Sequence, residues 1–453
     1  MFALCGSKPQ RLPFLLCIYC LGLTVAFGFS SAAWGQGQSK TASPSAQAQM
    51  PGEAISLQEL LNEAEQNNPQ IRAARQNWEA AKQVPSQVSA LPDPQAVVQQ
   101  FSVGSPRPFA GYTNSDFAYI GLGVSQDLPY PGKLKLKGEI ATQDANVAQQ
   151  QYESVRRSVL ANVKASYFQL AYLSSTLGIL QSDGQLLQQV ERAAEARYRS
   201  GMGNQQDVLQ AQLEQTKLLS EIAMHHLEVA KAEAELKQFL NRSQSSPDIE
   251  PSQLAETPLS YTFDDLLSAA QSQSPAISGA HDMVQRQKLQ VDLAHKDFRP
   301  DFNLQYMWQR TDPEQYRAYY MLTFGMSVPI HRGKLHAELA EAEADLSRSQ
   351  SELEAESQQI ASELRIEYDT AQKTSDLLKI YREGLLPQAR AEFQAGIAAY
   401  QNNRQDFQAV LTDFLDVLHL DEEYWQNLST REIALAHLEE LTGLSLRGEA
   451  TQK

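Results

Sequence analysis

A duplication constrains this chain more than any other feature. The segment SLQELLNEAEQNNPQI at Ser56–Ile71 returns as TFDDLLSAAQSQSPAI at Thr262–Ile277, with Leu60, Leu61, Ala64, Pro69 and Ile71 recurring as Leu266, Leu267, Ala270, Pro275 and Ile277. The offset is 206 positions. LPYPGKL at Leu128–Leu134 is echoed by VPIHRGKL at Val328–Leu335, YRSG from Tyr198 by YQNN from Tyr400, and Val208 and Leu209 by Val410 and Leu411. A unit of about two hundred residues occurs twice, over 53–250 and 251–443 with a tail at 444–453, so one architecture must serve both copies.

Each unit opens with an amphipathic helix. Leu57, Leu60, Leu61, Ala64 and Ile71 share one stripe of a helix predicted over 56–90, and Phe263, Leu266, Leu267, Ala270 and Ile277 that of a helix over 262–295. Two runs with strand alternation follow, near 95–104 and 117–127 in the first copy and near 301–310 and 319–328 in the second. In DFNLQYMWQ, Phe302, Leu304, Tyr306 and Trp308 face one way and Asn303, Gln305, Met307 and Gln309 the other. In YYMLTFGMSV, Tyr320, Leu322, Phe324, Met326 and Val328 oppose Tyr319, Met321, Thr323, Gly325 and Ser327. The first copy repeats this more weakly, through Val97, Phe101 and Val103 and then Ile120, Leu122 and Val124. Strands of ~9–11 residues with one apolar face have the length and pattern of membrane-spanning β-strands. Two hairpins on a soluble core would show the same alternation, but the sequence offers no other sheet for such aromatic faces to cover.

Long helices complete each unit, predicted over 133–200, 204–241, 334–401 and 405–441. No proline stands between Pro131 and Pro247, where Tyr152, Val155, Val159, Val163, Tyr167 and Leu170 keep three and four spacing. In the second copy Leu335, Leu339, Ala342, Leu346, Ser349 and Leu353 carry the stripe, and Gly384–Pro387 predicts a break. The stretch from Pro129 to Gly201 spans about 105 Å at 1.5 Å per residue. Asn204–Asn241 at ~57 Å and Thr262–His295 at ~51 Å, laid end to end, match it. Gly201, Met202 and Gly203 are then the reversal at the far tip of a hairpin, with glycine supplying positive φ. Asn402, Asn403 and Arg404 make the same turn in the second copy, asparagine being the usual substitute. The Ser/Pro-rich stretch Ser243–Ser260 becomes a join at mid-height. A four-stranded sheet from one chain has two open edges, and neither can stay unpaired in lipid. Three chains would supply twelve strands, continuous with twelve helical columns.

The N-terminus reads as a targeting segment over 1–35. Lys8 and Arg11 precede an apolar run from Leu12 to Phe29, and Ala33 and Gly35 supply small residues for cleavage. A flexible lead rich in Gln, Ser, Ala and Pro follows over 36–52. All three cysteines, Cys5, Cys17 and Cys20, lie inside the targeting segment, so the mature chain needs no disulfide. Tyr19 places a bulky ring before Cys20 where lipidation wants a small residue. Cleavage leaves 36 Lys and Arg against 54 Asp and Glu, a net charge of −18 that disfavours nucleic acid and anionic lipid as partners.

Catalysis finds no support. The eight histidines include no HExxH, and His225 and His226 are adjacent, so one helix face cannot present both to a metal. His331 and His336 flank a helix start, a position of capping or exposure. No nucleophile with a base and oxyanion donors is recognisable, and no cofactor or metal is expected.

The duplicated plan, the paired tips with DVLQAQ after the first, and LPYPGK opening the long helix resemble the TolC-like outer-membrane efflux ducts over essentially the whole mature chain. ALPDPQ at Ala90–Gln95 and LPYPGKLKLKGEIA are most similar to the branch serving heavy-metal efflux pumps. The resemblance implies a mainly α protein with membrane β-structure. Three copies would form a 12-stranded outer-membrane β-barrel continuous with a 12-helix periplasmic α-barrel. It also implies a passive homotrimeric conduit set in outer-membrane lipid, met by a periplasmic membrane-fusion adaptor and an inner-membrane pump. Gly201, Met202, Gly203, Asn402, Asn403 and Arg404 would form the docking tips. Family members close the tip through Asp, Tyr and Arg. Asp207 and Tyr400 fall on matching positions, while Gln405 takes the Arg position with Arg404 beside it. Ala409 and Thr412 replace the family's acidic ring, with Asp406, Asp413 and Asp416 nearby. Asp207, Tyr400, Arg404 and Asp406 are thus the gate candidates. Phe302, Leu304, Tyr306, Trp308, Tyr320, Leu322, Phe324, Met326 and Val328 would face lipid.

Two other readings stay open at the level of sequence. A soluble periplasmic coiled-coil scaffold or adaptor would share the hairpins, signal segment and acidic charge. A duct for protein secretion would share everything but the cargo.

Overall fold

Caps and prolines, rather than any change in hydrophobic spacing, set where the short helices begin. The computed structural model describes residues 56–101, 119–311 and 318–446; the signal segment, the lead and residues 447–453 of the tail lie outside them. Asn68 ends α1 (Leu57–Asn67) and caps α2 (Pro69–Ala81), accepting from the Gln70 and Ile71 backbone N–H groups at 2.8 and 3.3 Å. Ser274 stands likewise between α6 (Phe263–Gln273) and α7 (Pro275–Asp297). The residue before a proline is driven to extended backbone. Asn68 and Ser274 accordingly have ψ of 126° and 124°. With α3 at Val84–Val88, the single helix expected over 56–90 is three, and that over 262–295 is two.

The four strands, β1 (Gln95–Phe101), β2 (Tyr119–Leu128), β3 (Asp301–Thr311) and β4 (Ala318–Ser327), form one antiparallel sheet in chain order. Direct cross-strand partners share a face. Trp308 pairs with Leu122 and Tyr320, Tyr306 with Val124 and Leu322, and Leu304 with Phe324. Leu122 in turn pairs with Val98, so the apolar face crosses β1 through Val98, which is 65% exposed. Val97 pairs with Gly123 and Phe101 with Tyr119, on the opposite face. The alternation expected through Val97, Phe101 and Val103 is therefore inverted, and Val103 lies outside the described residues. That opposite face is polar at Asn303, Gln305, Gln309 and Thr323. It also carries Val97, Phe101, Tyr119, Tyr319 and Met321, and the fully buried Met307 is seated over Gly121 and Gly123, where an added Cβ would come within 2.8 Å of the Met307 sulfur and 2.5 Å of the Tyr306 carbonyl oxygen.

The long helices are α4 (Lys133–Arg199), α5 (Gln205–Phe239), α8 (Arg332–Ile380), α9 (Leu386–Gln401) and α10 (Phe407–Thr442). A π-helical turn at Tyr381–Leu385 joins α8 to α9, so the break expected at Gly384–Pro387 is a bulge in a continuous rod. Widening the turn removes the carbonyl clash that Pro387 would cause in an α-helix. α4 packs against α2 and α5 on one side and against α7 and α10 on the other, and α8 lies beyond α7 and α10. The helical columns thus follow the order of the strands they feed.

End-on stacking differs from expectation. α5 meets α1 and α2, not α6 and α7: Leu236 and Leu240 are buried with Leu60 and Ala64, and the Asn68 amide donates to the Phe239 carbonyl at 2.8 Å. α10 meets α6 in the same way, through Leu435 and Leu438 with Leu266 and Ala270. Each repeat therefore closes its own column, as a duplicated unit must. The join after α5 crosses the middle of α4, where the Tyr167 hydroxyl lies 2.7 Å from Ser252 Oγ and accepts from the Ser252 N–H at 2.9 Å.

Where sheet meets helices, buried Lys133 binds Asp297 and Asp301, each at 3.0 Å. Burial alone would lower the lysine pKa; the two carboxylates outweigh it and raise it. Asp301 also accepts from the Tyr130 N–H at 2.7 Å, so this joint ties the two repeats together.

Candidate functional site

The two hairpin tips lie side by side. Ser200 ends α4, Gly201 takes φ of +75°, and the Met202 and Gly203 N–H groups return to the Arg197 carbonyl at 2.9 and 3.1 Å. The second tip repeats the pattern, with Asn403 at φ of +60° and the Arg404 N–H donating to the Ala399 carbonyl at 2.9 Å. Positive φ is tolerated best by glycine and then asparagine. Met202, Asn402, Asn403 and Arg404 are exposed, Met202 to 65%.

One polar cluster joins the tips. The Tyr400 hydroxyl donates to Asp207 Oδ2 at 3.0 Å, from a ring only 1% exposed. Burial first, and then the bond to the Asp207 carboxylate, push the phenol up to about 12. Arg197 covers the other side of the ring at 4.1 Å, donating to the Tyr400 carbonyl and Asn403 Oδ1 at 2.5 Å each and to the Met202 carbonyl at 3.1 Å. Phe407 meets the same ring edge-on at 5.7 Å. One guanidinium thus holds both turns.

Of the four residues expected to act together, Asp207 and Tyr400 are in contact. Arg404 makes no side-chain bond among the described residues, and Asp406 caps α10 by accepting from the Ala409 N–H at 2.9 Å. Gln405 reaches Asp413 at 3.4 Å. The arginine of the cluster is Arg197, which sequence reasoning missed. A signal was present: with the tips aligned Tyr198 on Tyr400, Arg197 corresponds to Ala399 and Asp207 to Ala409. Tyr400 is shared by the copies, but its partners Arg197 and Asp207 stand where the copies disagree, and Tyr198, lacking such partners, is 48% exposed.

A second polar group lies deeper in the bundle. Asp183 of α4 is 5% exposed and its Oδ2 has no hydrogen-bond partner among the described residues, while Arg390 of α9 binds both oxygens of Asp421 at 2.7 and 2.9 Å. Burial, and secondarily the Asp421 charge, push Asp183 up to about 6 against the opposing pull of Arg390. Among the described residues no three His, Cys, Asp or Glu side chains are arranged to hold a metal, and no helix is long and apolar enough to cross a membrane.

These features agree with comparisons to known proteins. Solved structures with the same fold include the outer-membrane channel OprN, 17% identical with a TM-score of 0.76 over 86% of this chain and 91% of that one. CusC, whose crystal structures concern folding and transmembrane channel formation, is 20% identical with a TM-score of 0.73, covering 88% of this chain and 96% of its own. The outer membrane protein VceC from Vibrio cholerae is 17% identical with a TM-score of 0.74, covering 86% and 96%. No curated protein is significantly similar in sequence. The sequence profile of the family described as Outer membrane efflux protein matches residues 60–242 and 266–437, one stretch in each repeat. This chain therefore belongs to the outer membrane efflux protein family, a family of transport proteins rather than enzymes.

Proposed function

We propose that three copies of this chain form a passive duct through the outer membrane, conducting small molecules or metal ions from the periplasm to the exterior. The observation that carries the proposal is the pair of open edges. β1 and β4 each lack a partner on one side among the described residues, while their apolar face exposes Leu322 to 64% and Phe324 to 66%. Such edges are incompatible with lipid unless another chain pairs with them.

The helical wall supports the same closure. α5 buries Ala211, Leu218, Ala232 and Leu236 on one heptad seam. A second seam leaves Leu209, Leu213 and Leu227 about half exposed, at 55%, 57% and 48%. On α8, Ile366 and Leu377 are likewise exposed, at 60% and 42%. A column from a neighbouring copy fits between these seams. The sheet face bearing Phe302, Leu304, Tyr306, Trp308, Tyr320, Leu322, Phe324, Met326 and Val328 then faces lipid, and the face bearing Asn303, Gln305 and Thr323 lines the water-filled interior.

At the far end, Gly201, Met202, Gly203, Asn402, Asn403 and Arg404 meet a periplasmic adaptor, itself coupled to an inner-membrane pump. Asp207, Tyr400 and Arg197 act as the latch between tips. A duct without a nucleotide site borrows its driving force from that pump.

Membrane fractionation followed by mass measurement in detergent tests the proposal. A trimer released from the outer membrane only by detergent is expected. A detergent-free soluble monomer or dimer would overturn it in favour of a periplasmic scaffold.

A further inference from the structure

The sheet rises from the helices through two short connections, the end of α7 into β3 and the end of β4 into α8. Between them lies a hollow lined by His295, Arg299, Arg332 and His336, with Phe298 and Leu339 as its apolar floor. The Phe298 ring packs edge-on against His336 at 5.2 Å. No carboxylate lines this hollow, and none of the four basic side chains makes an ion pair or hydrogen bond to another described residue. In a chain of net charge −16, two unpaired arginines beside two histidines with no lining carboxylate are a local inversion of charge.

Helix geometry gives the side on which it opens. Asp297 shares Lys133 with Asp301, and Asp301 belongs to the polar face of the sheet by its alternation with Phe302. His295 stands two residues before Asp297 in α7, about 200° around the helix from it, and Arg299, just past the helix end, lines the same hollow. The hollow therefore lies on the opposite side, that of the apolar stripe. Directly beyond β4, Val328 and Ile330 are exposed to 55% and 75%.

We propose that His295, Arg299, Arg332 and His336 bind the phosphate of an anionic glycerophospholipid in the periplasmic leaflet, its acyl chains lying along the apolar stripe. The inference rests on the reading of the sheet as membrane-spanning. The two guanidinium groups supply planar paired donors suited to a phosphodiester. The imidazoles add ring N–H donors. Phe298 and Leu339 give the glycerol region an apolar bed. General repulsion by an acidic protein is overcome only at this hollow, so the lipid would bind at a fixed place rather than as a diffuse annulus.

The test is native mass spectrometry of the full-length protein in detergent, titrated with phosphatidylglycerol or with inorganic phosphate. Partition into the membrane fraction is measured first. The wild-type assembly is expected to retain phosphatidylglycerol, and Arg299→Gln with Arg332→Gln to weaken retention about thirtyfold at unchanged oligomer mass. Arg348→Gln, an exposed helix variant, should match wild type. Should the double arginine variant not assemble, His295→Gln with His336→Gln is read in the same way. Undiminished lipid retention in an assembled variant would overturn the site. So would displacement of the lipid by equimolar inorganic phosphate, which would mark a free-anion site instead. Recovery of the wild type without detergent would overturn the membrane reading itself, a failure distinct from that of the hollow.

Discussion

The guanidinium of Arg197 lies 4.1 Å from the centre of the Tyr400 ring and donates to the Tyr400 backbone carbonyl, so a residue of the first hairpin holds the turn of the second. Arg197→Ala removes this contact and the bonds to Met202 and Asn403 together. Hydrogen bonds from charged groups contribute ~1.5–3 kcal/mol each when shielded; partial exposure reduces that here, to about 2–3 kcal/mol for the set. Single-channel recording in planar bilayers should show a larger open conductance for Arg197→Ala, and a smaller increase for Tyr400→Phe, which loses only the bond to Asp207. Arg404→Ala should leave conductance unchanged. An equal effect of Arg404→Ala and Arg197→Ala would remove the latch from Arg197.

The turn makes a separate prediction about backbone. A Cβ at Gly201 would meet nothing within 4 Å, so replacement there acts only through the left-handed φ of +75°. Gly201→Ala should lower tip stability by ~1–2 kcal/mol, and Gly201→Asn by less. Hydrogen exchange of the α4 and α5 ends measures this. Protection unchanged by the alanine would mean that the turn relaxes to another conformation at no cost.

The corrected register separates two neighbouring residues of β1. Val98→Arg and Leu322→Arg place charge on the apolar face and should each reduce outer-membrane trimer by ~2–4 kcal/mol per chain near the midplane. Val97→Arg and Thr323→Arg point the other way and should assemble. Quantifying heat-resistant trimer in membrane fractions compares the four. Assembly of Val98→Arg with failure of Val97→Arg would restore the face read from sequence alone.

How far the chain could be read without coordinates depended on the length of each signal. The proline-free stripes of α4 and α8 extend over many turns, so their period is unmistakable. The β3 and β4 faces each carry four or five large apolar residues in strict alternation. β1 has only Val97, Val98 and Phe101 to choose between, and its face is fixed by pairing with Leu122, a long-range fact. The breaks at Asn68 and Ser274 were legible as residues preceding proline, but the amphipathic stripe runs straight through them. End-on stacking was misjudged because helix lengths match either way; burial of Leu236 against Leu60 decides it. In the tip cluster, similarity between copies pointed to the turns and to Tyr400, whereas its partners Arg197 and Asp207 stand at positions where the copies diverge. Arg197 has no feature in isolation that sets it apart from any other helix-end arginine.

Asp183 gives the protein a pH dependence with a definite sign. Its carboxyl is held at about 6 in the folded chain, mainly by burial, against 3.8 for an ordinary aspartate. Between these values the folded state binds more protons than the unfolded one, so stability falls as pH rises from ~4 to ~6 and stays lower above that. At 1.36 kcal/mol per unit the loss at neutral pH is at most ~3 kcal/mol. Asp183→Asn keeps the shape and removes the charge that Asp421 opposes. It should therefore stabilise the chain near neutral pH by up to ~3 kcal/mol and give little or no gain near pH ~4. Thermal unfolding in detergent at the two pH values measures the difference. An equal effect at both would show that Asp183 does not titrate in this window and that the asparagine acts through hydrogen bonding alone.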